Sequence, residues 1–161
     1  MDQNKIQEIF KSVLDGLKSR LDELDKKGSS FLSKFQIIQT KLNNHIKDSC
    51  APQLEWFRKN GSVNDNEEGI SFSVNNDIPK EEAEKHYNLF TECVNKNDHG
   101  FPAFFQQNQQ KQEEIEQKNT NCIEKCLANQ KDENVFRSCI TNCFSNTIDE
   151  MNLAFDQIDK R

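Results

Sequence analysis

The chain has 161 residues, with six cysteines and 21 basic against 27 acidic side chains, for a net charge of -6. Its mean hydropathy is -0.91. Leu, Ile, Val and Phe make up 39 of the 161 residues, enough for a core but a thin one, so covalent staples are expected to support it. No Lys/Arg block exceeds two in a row, which argues against nucleic acid as the main partner, and no run of 18 apolar residues offers a membrane span.

Five glycines and three prolines point to helix rather than a β-sandwich. Residues 3–27 carry Ile6, Phe10, Val13, Leu17 and Leu24 at helical spacing. Gly28 is expected to end this helix, with Ser29 or Ser30 capping a second to about Cys50 and the two folding back as an antiparallel hairpin. The second helix's face is Phe31, Phe35, Ile38, Leu42 and His45. Pro52 can open a short third helix through Leu54, Trp56 and Phe57.

Residues 60–69 read as a polar loop, and Ile70, Phe72 and Val74 alternate with serines. The alternation is a weak strand signal, or an arm that docks on a partner, because an isolated strand has nothing to pair with. Pro79 and the acids Glu81, Glu82 and Glu84 suit a helix start, with the helix running to about Asn97. Gly100 and Pro102 break it, a long helix follows from about Ala103 to Asn129, and Asp132 or Asn134 caps the last one. The expected fold is all-α, with about five helices. Its organisation is a helical extension over 1–58, a loop or arm over 59–78, a connecting helix over 79–100 and a cysteine hairpin over 101–161.

The last third holds Cys122-Ile-Glu-Lys-Cys126 and, twelve residues on, Cys139-Ile-Thr-Asn-Cys143. Cysteines four apart share one helix face. Across an antiparallel hairpin, two such pairs meet as two rungs, Cys126 with Cys139 and Cys122 with Cys143; the other cross-pairing needs parallel helices. A four-cysteine zinc site and a catalytic dithiol compete with this reading. Zinc pairs usually sit two residues apart in a turn, and a redox CxxC opens a helix after a strand. Cys50 and Cys93 can form a third disulfide, remain as two buried thiols, or serve a redox or metal role.

This twin CX3C arrangement over 113–158 resembles the small Tim proteins of the mitochondrial intermembrane space. The segment FSNTIDEMNLAFDQI is similar to that family's C-terminal helix. The resemblance implies a disulfide-stapled helical hairpin, oxidation in that compartment, and either ring-shaped chaperones for hydrophobic precursors or a relative of them. Residues 1–100 have no counterpart in a small Tim. The start, MDQNKIQEIF, has neither the apolar stretch of a secretory signal nor the Arg- and Ser-rich character of a presequence, as the resemblance would also have it.

No nucleophile–base pattern, HExxH, phosphate loop or EF-hand spacing is present in the sequence. His45, His86 and His99 read as solvated or loosely packed, and EEAE at 81–84 as a helix start. The aromatic clusters Trp56-Phe57 and Phe101, Phe104, Phe105 read as core packing or as docking patches, and Phe10 and Leu17 as part of a docking stripe. No cofactor, metal or catalytic residue is expected. The expected function is a non-enzymatic accessory subunit of a mitochondrial inner-membrane complex, respiratory chain or ATP synthase, on its intermembrane-space side. The alternative is a small-Tim-like chaperone, in company with other small-Tim-like chains.

Overall fold

The computed structural model describes residues 1–66 and 69–159. In chain order the elements are α1 (Gln3–Gly16), α2 (Lys18–Ser49), α3 (Ala51–Asn60), β1 (Gly61–Asn66), β2 (Gly69–Val74), α4 (Lys80–Asn97), α5 (Phe101–Ala128) and α6 (Glu133–Asp159). Among the described residues the protein is helical apart from one two-stranded sheet, and it carries the disulfide-stapled antiparallel hairpin in α5 and α6.

The chain divides into two compact units, Met1–Leu32 with Gln106–Arg161, and Ser33–Phe105. This departs from the four-part reading above. Residues 1–32 belong with the cysteine hairpin, because their apolar stripe has its partner there. The first helix also ends elsewhere than expected. It stops at Gly16, with Leu17 as the C-cap residue, and α2 then runs straight through Gly28. Leu17 bonds back to Val13 and Leu14, and Leu21 bonds to Leu17, so the break is a kink of one residue at a glycine rather than a reversal. No antiparallel hairpin forms at 28. Gly28 stays helical beside Phe155, where a Cβ would stand 3.6 Å from the ring.

In the first unit α1 and the start of α2 run parallel to α6. Arg137 donates to Ser12 and Arg20 to Ser145 at a constant separation of 125 residues; Arg20 reaches Asp149 and Lys27 reaches Asp156 at 129. α5 runs antiparallel to α6, with Lys111 on Gln157, Lys118 by Glu150, and the two cysteine pairs following in order. The three helices enclose Ile9, Val13, Cys126, Phe136, Ile140 and Cys143. Leu17 packs on this core, and Phe10 meets Phe136 and Phe144 edge-on at 6.2 and 6.4 Å. The polar pairs lie at the rim and align the helices; burial of the apolar stripe is the larger contribution.

The second unit corrects the reading of 60–78. β1 and β2 pair antiparallel, Gly61 opposite Val74 and Val63 opposite Phe72. The strand expected to lack a mate pairs with the polar GSVNDN segment. Polar β1 escapes a hydrophobic-alternation reading because Val63 is its one large apolar residue; backbone bonds and the inward face of β2 hold it instead. Val63, Ile70, Phe72 and Val74 pack on a core of Ile46, Cys50, Leu54, Phe57 and Phe90. Ile46 replaces His45 on the buried face, and Ile38 is 49% exposed.

Candidate functional site

Helix geometry builds the twin rungs. Asp132 caps α6, its carboxylate accepting from the backbone N–H of Asn134 at 2.8 Å and Val135 at 3.2 Å. Asn129 N–H bonds the Cys126 carbonyl at 3.1 Å and the Gln130 amide bonds the Leu127 carbonyl at 2.6 Å, closing the end of α5. The short turn sets the register, and Cys126 bonds Cys139 while Cys122 bonds Cys143. Their Cα atoms are 5.7 Å apart in both rungs, within the range a disulfide needs.

Each rung hides one sulfur-bearing residue and half-shows the other. Cys126 and Cys143 are 1% exposed; Cys122 and Cys139 are half-buried. The hidden side faces α1, where Ile9 is 0% and Val13 6% exposed. The Sγ atoms of Cys126 and Cys143, on different rungs, approach to 3.6 Å. Those of Cys122, Cys126 and Cys143 all lie within 4.8 Å of one another. Zinc would need them as thiolates; bonded in pairs they offer no such ligand.

A third bridge joins Cys50 to Cys93, 43 residues apart, and no cysteine is free. Cys50 is 0% exposed and sits among the apolar residues of the second unit. Cys93 is half-buried at the unit's rim, where Asn97 donates to its carbonyl at 2.8 Å. This bridge ties the N-cap residue of α3 to α4.

The seven side chains expected to meet a partner are mostly used inside the fold. Phe57 is 1% exposed, and it stacks on Phe72 at 4.0 Å. Its whole side chain is core, which removes it from any docking face. Phe10 and Leu17 are half-buried against the first unit's core. Trp56 lies flat on His86 at 3.9 Å with an interplanar angle of 10°, which makes His86 a half-buried packing residue. Phe101 and Phe105 take Phe35 between them at 4.7 and 4.6 Å. Phe104 is half-buried, and Phe105 keeps 36% of its surface exposed.

Sequence reasoning missed two further placements. His45 and His99 stack at 5.6 Å, although 54 positions separate them along the chain and nothing local links them. His99 stands at φ 54° beside Gly100, at the α4–α5 turn that the glycine did mark. No helix among the described residues is long and apolar enough to cross a membrane. No protein-family model, no curated protein and no solved structure matches the chain.

Proposed function

We propose that this chain is a non-enzymatic structural protein of an oxidising compartment, and that the compartment is the mitochondrial intermembrane space. There it would serve as an accessory subunit of a mitochondrial inner-membrane complex, such as a respiratory complex or the ATP synthase, on its intermembrane-space side. The observation that carries this reading is that all six cysteines are consumed in three disulfides, two of them in a twin CX3C hairpin like that of the small Tim proteins. A chaperone for hydrophobic precursors needs an apolar face open to its client. Here Ile9 and Val13 lie over the inner face of the hairpin, which favours the subunit over the chaperone.

The test has two arms. A tagged protein should resist protease in intact mitochondria and become sensitive once the outer membrane is ruptured. In native gels of mild detergent extracts it should migrate with a large membrane assembly. Recovery from the cytosol with reduced cysteines would refute the compartment. Migration near the mass of six chains would refute the subunit and restore the chaperone.

A further inference from the structure

The two hidden cysteines of the twin rungs are in sulfur–sulfur contact across rungs, Cys126 to Cys143 at 3.6 Å, close to the separation from which bonds form between positioned groups. Their bonded partners, Cys122 and Cys139, are the half-exposed ones, where a thiol from solution arrives first. We propose that the twin rungs form an internal thiol–disulfide exchange couple whose substrate is a small monothiol of the glutathione class.

The incoming thiolate bonds Cys122 Sγ and breaks the Cys122–Cys143 bond, and the electron pair leaves on Cys143. The Cys143 thiolate attacks Cys126 Sγ. A Cys126–Cys143 bond forms, the Cys126–Cys139 bond breaks, and the electron pair leaves on Cys139. The products are a mixed disulfide on Cys122, one disulfide inside the core, and a thiolate on half-exposed Cys139. Disulfide count is unchanged, so no further oxidant or reductant is consumed. Attack at Cys139 runs the mirror path, expelling Cys126, which attacks Cys143 and leaves the thiolate on Cys122. The two routes converge on the same new bond. The exchange moves a reactive thiolate from the core to a position that a second thiol, or a disulfide on another protein, can reach. It does not depend on the compartment or on the partner complex.

Full-length oxidised protein is incubated with reduced glutathione, quenched with iodoacetamide and mapped as non-reduced peptides. The expected product is a Cys126–Cys143 peptide, with glutathione on one of Cys122 and Cys139 and the alkyl group on the other. Alkylated Cys143 beside an intact Cys126–Cys139 bridge would overturn the proposal, as would alkylated Cys126 beside an intact Cys122–Cys143 bridge. So would the absence of any adduct on Cys122 and Cys139 while glutathione opens Cys50–Cys93. Cys122→Ser supplies a second reading without added thiol: the free thiol should be found on Cys139, and a free thiol confined to Cys143 would overturn the couple. Should that variant fail to fold, the wild-type mapping decides alone.

Discussion

Phe136 is 0% exposed and holds Phe10 edge-on at 6.2 Å. Phe136→Ala is therefore expected to cost about 3–5 kcal/mol, read by urea unfolding with the disulfides intact. Arg20→Ala marks the other extreme. Arg20 and Asp149 keep 41% and 64% of their side-chain surface in water, so losing the pair should cost less than about 1 kcal/mol. Two glycines separate steric from conformational roles. A Cβ at Gly61 would stand 1.8 Å from the Ser73 carbonyl oxygen, so Gly61→Ala must push β1 off β2. Loss of amide protection along Ser71–Val74, with the first unit unchanged, is the expected result in hydrogen exchange. At Gly28 a Cβ would meet Phe155 at an ordinary 3.6 Å in the middle of α2. Gly28→Ala should raise stability by up to about 1 kcal/mol, because alanine loses less conformational freedom in a helix.

At the scale of elements, the three bridges are not equivalent. Chain entropy ranks them by loop length, and Cys50–Cys93 closes 43 residues against 21 and 13 for the rungs. The double replacement Cys50→Ser with Cys93→Ser should cost about 4 kcal/mol, against about 3 for removing the inner rung. Thermal unfolding of the two double variants checks the order. α1 likewise acts as more than an appendage. Deleting residues 1–27 leaves both rungs chemically possible, since they are local, but uncovers the apolar side where Ile9 and Val13 lay. The truncated chain should bind a hydrophobic dye and aggregate with its rungs still formed. A truncated chain that stays monomeric and dye-silent would show that α1 contributes little to this core.

At the scale of the whole molecule, what was legible depended on how local the cause was. Helical spacing, the Asp132 cap, the Gly100 and Pro102 break and the register of the cysteine rungs could all be read directly, because each is set within a turn or two of helix. The same locality explains why the all-α class was legible from so few glycines and prolines. Gly28 misled because glycine's weak helix propensity yields to packing, and packing against Phe155 is a contact with the far end of the chain. The sheet escaped because GSVNDN gains its place from backbone pairing, which leaves almost no trace in side-chain hydrophobicity. The docking residues were legible as apolar but not as inward or outward facing. Ile6, Phe10, Val13 and Leu17 form one stripe whether another protein or α6 covers it, and only the parallel course of α1 along α6 decided that this chain covers its own. By itself the sequence determined the all-α class and the pairing of the rungs. The tertiary structure decided that α1 joins the cysteine hairpin and which sulfur of each rung faces water, since both follow from contacts between residues more than a hundred positions apart.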